Sequence, residues 1–314
     1  ITFSRVFGDT LSEMADKNKD ICAITAAMCD GTGLCRFKDR HPDRFFDVGI
    51  AEPHALTFAA GLAAEGLRPF AALYSTFLQR GYDNIIHDIA LQGLPVTLCI
   101  DRAGLNSGDG ATHHGIFDVA FLSEVPGMTV YAPITFKTLK KALSESLEAT
   151  GPVAIRYPSG SEQKDVLEIF YSDDSDDREL NLRSDIEIGS KPDILIVTYG
   201  RIVSEAIVAK REITEKGKTC GILLLEKLKP YSFAAENIIP YLPKHGGLVL
   251  FLEEEIRAGG MGMMLSDVMI RQGMMKDIEY KILAPDESFV IPEKQEHIYE
   301  TAGVSARHIV QACI

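Results

Sequence analysis

Apolar runs of strand length recur along this chain, each followed by a segment of helical period, and this alternation restricts the fold more than any other feature. Ile21–Ala27, Phe45–Ile50, Pro69–Tyr74, Val96–Ile100, Met128–Ala132 and Val153–Arg156 read as strands. Helices are expected over Ile1–Lys17, where Phe3, Val6, Phe7, Leu11 and Met14 share one face, and over Ala51–Glu65, Gln79–Gln92 and Phe136–Thr150. Strands that are apolar throughout must be covered on both faces, and helical crossovers between parallel strands do that. The alternation stops over residues 157–192, which contain Ser-Asp-Asp-Ser-Asp-Asp at 172–177, and we read 161–191 as an acidic linker. It resumes with strands Ile194–Tyr199, Thr219–Leu225, Gly247–Leu252 and Ile278–Leu283 and helices Ile202–Lys216, Phe233–Tyr241 and Gly262–Gln272. Helical turns near Glu293–Tyr299 and Val304–Ala312 follow. The expectation is an α/β chain of two domains, 1–160 and 192–314, each a mostly parallel sheet flanked by helices. A length of 314 residues agrees, being more than one core comfortably serves.

Charge narrows the partners. A net charge of -13 with no basic stripe argues against a nucleic-acid surface. No apolar run has the length of a membrane span, and no basic-then-apolar amino terminus reads as a signal peptide. Cys22, Cys29, Cys35, Cys99, Cys220 and Cys313 form no Cys-x-x-Cys motif, so reduced thiols in a cytoplasmic protein are the expectation.

Ionisable residues mass in Asp101–Asp118, directly after the strand Val96–Ile100: one arginine, three acids, two histidines and four glycines. Open α/β sheets place chemistry on such loops at the carboxyl ends of their strands. Elsewhere two readings stand for each candidate. Glu52 either complements a helix dipole from the first turn or serves a ligand at a strand end. Phe77 is either core or a face for stacking a heteroaromatic ring. Arg102 and Arg156, each after a strand, are either surface ion-pair partners or a pair that grips a phosphate. The adjacent His113 and His114 make a poor metal pair, with no third ligand in view. Gly259-Gly-Met-Gly262 opens a helix without the full dinucleotide fingerprint and reads as a tight turn, though a helix amino end also suits an anion.

Taken together, Asp47-Val-Gly-Ile-Ala-Glu-Pro-His54, Tyr74-Ser-Thr-Phe-Leu-Gln-Arg80, Asp101-Arg-Ala-Gly104, Asp109-Gly-Ala-Thr-His-His-Gly115 and Ile155-Arg-Tyr-Pro158 resemble the 1-deoxy-D-xylulose-5-phosphate synthase family of transketolase-like thiamine diphosphate enzymes. The resemblance implies a pyrimidine-binding domain followed by a transketolase carboxyl-terminal domain. It also implies the joining of pyruvate to the phosphorylated aldehyde glyceraldehyde 3-phosphate with loss of carbon dioxide, at the entry to isoprenoid precursor synthesis. It aligns Glu52 with the acid that hydrogen-bonds the cofactor's pyrimidine ring and favours the imino tautomer, the base that takes the thiazolium proton. Phe77 would stack on that ring, with Arg80 also on the cofactor side. Tyr74, Asp109 and His113 would face the reacting carbonyl, His113 as proton donor or hydrogen-bond partner, and Arg102 and Arg156 would hold the acceptor phosphate.

Gly108-Asp-Gly110 mimics the magnesium motif of these enzymes, but the asparagine that should follow is missing from Ala132–Ala142. Magnesium is therefore expected on an amino-terminal diphosphate-binding domain or subunit, and no metal ligand is assigned here. That partner, and a homodimer or heterotetramer, follow from the family's sites forming between domains of two kinds. Two positions depart from the family pattern: Pro53 stands for glutamine and Ser159 for arginine. Proline suits a first helical turn; the serine is expected to weaken phosphate binding. A split transketolase, a 2-oxo acid dehydrogenase β-type subunit and a non-catalytic partner-binding scaffold are the alternative readings.

Overall fold

A computed structural model of the chain describes residues 1–106, 108, 110–172, 179–285, 289–291 and 297–314. They form two compact units, Ile1–Ala103 with Glu124–Glu162, and Gly104–Ser123 with Gln163–Ile314. Asp109, most of the acidic run and the start of the turns expected near Glu293 lie outside the described residues.

The first unit holds strands β1 (Ile21–Thr25), β2 (Phe45–Asp47), β3 (Arg68–Tyr74), β4 (Thr97–Asp101), β5 (Thr129–Tyr131) and β6 (Val153–Arg156). All pair in parallel, in the order β5-β6-β4-β3-β1-β2. Every residue of β1, β4 and β6 is buried, as strands sheathed on both faces require. Helix Phe3–Lys17 is capped by Thr2, whose hydroxyl accepts from the Arg5 N–H, and it buries Phe3, Val6, Phe7, Leu11 and Ala15. Helix Glu52–Ala64 starts without a side-chain cap, and Pro53 takes a first-turn position where no N–H is needed.

The helix expected over Gln79–Gln92 is instead a succession of short turns: Ser75–Leu78, Gln79–Gly81, Tyr82–Asn84 and the wide turn Ile85–Ala90. Gly81, at φ -107 and ψ 19, steps out of helical geometry. The apolar face survives in buried Ile85 and Ile89.

In the second unit the sheet runs Glu279–Leu283, Leu248–Leu252, Ile194–Thr198, Cys220–Leu225 and Leu182–Ser184, parallel except for the last strand. Within 161–191, expected to be linker, the structure places helix Lys164–Phe170 and that antiparallel edge strand.

The turn Asp30-Gly-Thr-Gly33 after β1 is pressed against its neighbours. A Cβ on Gly31 would come within 1.6 Å of the Tyr74 hydroxyl. Gly33 has φ +77, and a Cβ there would meet the Ser4 carbonyl oxygen at 2.1 Å, a backbone atom unable to yield. A positive φ alone costs a side chain on the order of 1 kcal/mol. Gly33→Ala is therefore expected to destabilise the chain by about 2 kcal/mol or more, read from urea unfolding midpoints; an unchanged midpoint would refute this account of the turn.

Candidate functional site

Tyr74 closes β3 and pairs in register with Asp101, which closes β4. The chain then coils, so Tyr74, Phe77 and Arg80 recur every third residue and share one side. The Tyr74 and Phe77 rings stack at 5.8 Å with planes 21° apart. The Arg80 guanidinium lies 4.9 Å from the Phe77 ring centre, and its Nη1 donates to Glu52 Oε1 at 2.7 Å. At the other end the Arg102 guanidinium lies 3.8 Å from the Tyr74 ring centre. The result is one continuous row, Glu52, Arg80, Phe77, Tyr74, Arg102, with cations against ring faces as their quadrupoles favour.

Glu52 is 3% exposed at the first position of its helix, beside the Arg80 guanidinium. Among the described residues Arg80 is its hydrogen-bonding partner, through Oε1 alone. A half-exposed aromatic face beside a buried carboxylate with one oxygen committed is a donor set suited to a polar heterocycle such as a pyrimidine.

Arg102 has φ 60, a conformation uncommon for a side-chain-bearing residue, and its N–H donates to Asp101 Oδ1 at 2.7 Å. That bond links the buried end of β4 to the arginine. Burial pushes the Asp101 carboxyl up to about 7, against the opposing pull of Arg102. Asp101 is a residue the sequence reading passed over. Its signal was an acid ending an otherwise apolar strand, directly before an arginine. Arg156 ends β6, level with Ile100 of β4, and is 3% exposed. A cavity of about 550 Å³ in this unit is lined by Arg5, Asp30, Gly31, Arg36, Arg102 and Ser159, among others, and Arg156 is not in its wall. The two arginines thus end neighbouring strands, but Arg102 alone of the two faces that cavity.

His113 belongs to the second unit, on the turn Ala111–His113, half exposed, with Nδ1 2.9 Å from the Thr112 hydroxyl. His114 is buried and its Nδ1 accepts the Asn106 N–H at 3.1 Å, while burial lowers its pKa; it serves the loop's own packing. The structure therefore gathers Glu52, Tyr74, Phe77, Arg80 and Arg102 into one row, places Arg156 at the end of β6 in the same unit, and carries His113 on the other unit. At Gly259-Gly-Met-Gly262 the helix amino end already has its anion: Glu253 accepts the Met261 and Gly262 N–H groups at 2.9 and 3.0 Å. Among the described residues no group of three or more His, Cys, Asp or Glu is placed to hold a metal ion, and no helix is long and apolar enough to cross a membrane.

Comparison with known proteins matches the chain to a family. The model "Transketolase, pyrimidine binding domain" covers residues 1–163, and "Transketolase, C-terminal domain" covers 186–309. The 1-deoxy-D-xylulose-5-phosphate synthase of Syntrophotalea carbinolica is 41% identical over 308 residues, spanning 98% of this chain and 47% of the relative. The synthase of Aquifex aeolicus is 40% identical, spanning 99% and 48%. The chain thus spans about half the length of the curated relatives it matches. Among solved structures, one described as "Split gene transketolase, inactive beta4 tetramer" superposes with TM-score 0.81 at 25% identity, covering 100% of this chain and 97% of that one. Campylobacter jejuni transketolase shares the fold at TM-score 0.74 and 16% identity, over 99% of this chain and 46% of its own.

The Asp101 environment sets a pH signature. Its carboxyl is raised from 3.8 to about 7, so across that window the folded chain keeps a proton that the unfolded chain has lost. Stability then falls as pH rises through the window and levels off above it. Asp101→Asn still offers an oxygen to the Arg102 N–H and is expected to flatten this fall. Urea midpoints of both chains across the window would converge at low pH and separate toward neutrality; parallel curves would contradict the assignment.

Proposed function

The chain belongs to the transketolase family, and on that premise we propose that it is the pyrimidine-binding and carboxyl-terminal half of a thiamine diphosphate-dependent 1-deoxy-D-xylulose-5-phosphate synthase. The row from Glu52 to Arg102 carries this reading, because it offers a buried carboxylate, a stacking face and an anion-binding cation at the carboxyl ends of adjacent parallel strands. Thiamine diphosphate, when bound, supplies the nucleophilic carbon and the electron sink for decarboxylation.

This chain's residues do the rest. Glu52, with Oε1 held by Arg80, offers Oε2 to the pyrimidine ring nitrogen, and its burial keeps water from competing. Phe77 fixes the ring's plane. Tyr74, His113 and Asp109, the last outside the described residues, orient pyruvate, and His113, with Nδ1 engaged by Thr112, exchanges a proton through Nε2. Arg102 and Arg156 hold the acceptor phosphate of glyceraldehyde 3-phosphate. Magnesium and the diphosphate fall to an amino-terminal domain, attached or separate, and the working unit is a homodimer or heterotetramer in the cytoplasm. Ile50, 81% exposed two residues before Glu52, supports a protein surface covering this edge. The likeness to a split-gene transketolase favours one second reading, a transketolase half acting on ketose phosphates.

The test supplies the chain with the amino-terminal half of a synthase relative, thiamine diphosphate, magnesium, pyruvate and glyceraldehyde 3-phosphate. Carbon dioxide release is expected only with both halves present, and Glu52→Gln is expected to lower kcat by about 100-fold or more. Turnover of a ketose phosphate donor in place of pyruvate would favour the second reading. Unchanged turnover in the Glu52→Gln chain would refute the role given to the carboxylate.

A further inference from the structure

Two cysteines flank the turn that presses on Tyr74. Cys29 and Cys35 lie with their sulfurs 3.7 Å apart, in van der Waals contact, and both are half-buried. Cys22, Cys99 and Cys220, by contrast, are buried. A disulfide needs its sulfurs at about 2.05 Å, so closure asks for a movement of under about 2 Å. The backbone keeps the pair within reach: the Leu34 N–H donates to the Cys29 carbonyl at 3.0 Å, and the Thr32 N–H and hydroxyl both donate to the Met28 carbonyl, at 2.9 and 2.8 Å.

The two thiols are not equivalent. Cys35 donates its S–H to Asp30 Oδ1 at 2.7 Å, and this bond, with burial, pushes its pKa up to about 12. Cys29 is raised chiefly by burial, while the sulfur of Cys35 and the charge of Lys38 pull it down against Asp30 and Asp47. The reduced pair is therefore a neutral dithiol in which Cys29 is the readier nucleophile.

The geometry points to Cys29 and Cys35 as a reversible dithiol–disulfide site whose closure shifts the Asp30–Gly31 turn against Tyr74. The oxidant is a low-molecular-weight disulfide. The Cys29 thiolate attacks one of its sulfurs and expels the first small thiol. Cys35 then gives up its proton, with Asp30 beside it as acceptor, and attacks the Cys29 sulfur, expelling the second. Two protein S–H bonds are lost, one S–S bond forms, and the oxidant leaves as two thiols. The turn registers the change because oxidation removes the S–H donor from Asp30. Asp30 and Gly31 line the same cavity as Arg5, Arg36 and Arg102, and Gly31 abuts the Tyr74 hydroxyl under Arg102. None of this depends on the synthase reading.

The experiment treats the full chain with oxidised glutathione at mildly alkaline pH, maps peptides by mass spectrometry, and follows tyrosine ring resonances in a carbon-13-tyrosine chain, with Tyr74 assigned through Tyr74→Phe. The expected product is lighter by two hydrogens, joins Cys29 to Cys35, reverts with dithiothreitol, and shows a displaced Tyr74 ring resonance. Cys29→Ser and Cys35→Ser should each abolish the link. A persisting glutathione adduct at either cysteine, a link elsewhere, unreacted thiols, or closure that leaves the Tyr74 resonance in place would each overturn it.

Discussion

A carboxylate taken out of water has to be met by a cation or by N–H groups, and in the first unit that requirement falls on Glu52. Arg80 meets it, and the bond fixes more than two side chains. To reach Glu52, Arg80 must lie across Phe77; Phe77 stacks on Tyr74; Tyr74 carries Arg102. Each contact on its own is worth about 1 kcal/mol or less where water has access. Their value lies in sequence: one buried charge orders a row that spans the ends of neighbouring strands. The row also explains why the segment after β3 coils in short turns, since it delivers Phe77 and Arg80 to one side.

The second unit meets the same demand differently, and the contrast separates structural acids from a candidate site. Glu253, Glu254 and Glu255 are all within 1% of complete burial. Glu253 accepts from Met261 N, Gly262 N and the Tyr199 hydroxyl; Glu254 accepts from Arg201 N, Leu105 N and the Tyr299 hydroxyl. Glu253 and Glu254 thus have both oxygens engaged by backbone and tyrosine donors, and Glu255 accepts from Val119 N, so these acids tie down the unit's turns and helix start. Glu52 has one oxygen committed and a half-exposed ring nearby.

Much of the architecture was legible because parallel strands buried on both faces write themselves as plain apolar runs, and Val153–Arg156 or Phe136–Leu147 needed nothing further. What failed had local causes with no periodic trace. The Gln79–Gln92 pattern is helical in its apolar face, yet Gly81 breaks the backbone where tertiary packing wants a bend. The edge strand Leu182–Ser184 is short and polar, and only its pairing with Cys220–Leu225 defines it. For the site, the family resemblance pointed to Tyr74, Phe77, Arg80 and Arg102, while the Arg80–Glu52 bond spans 28 residues and cannot be read from order along the chain. Gly259–Gly262, read as a tight turn, does open a helix, and the carboxylate at that amino end is Glu253, which the sequence could not identify because a helix amino end does not reveal which acid will reach it.

Ser159 can be weighed in the same terms. An arginine is usual there in the family the motifs resemble, and its loss looks from the sequence like a loss of positive charge. The cavity that Ser159 lines also contains Arg5, Arg36 and Arg102 against Asp9 and Asp30, three cations to two anions. Arg36 and Arg5 both reach Asp9, at 3.0 and 3.6 Å, so much of their charge is spent within the wall, and solvent screens what remains. Arg102 differs: an aromatic ring and the Asp101 carboxyl behind it fix its position. A positioned guanidinium loses less freedom on gripping an anion than a mobile one does. Serine at 159 therefore leaves the cavity less positive than an arginine would, without making it anionic, and Arg102 is the arginine in its wall whose backbone and ring contacts hold it in place.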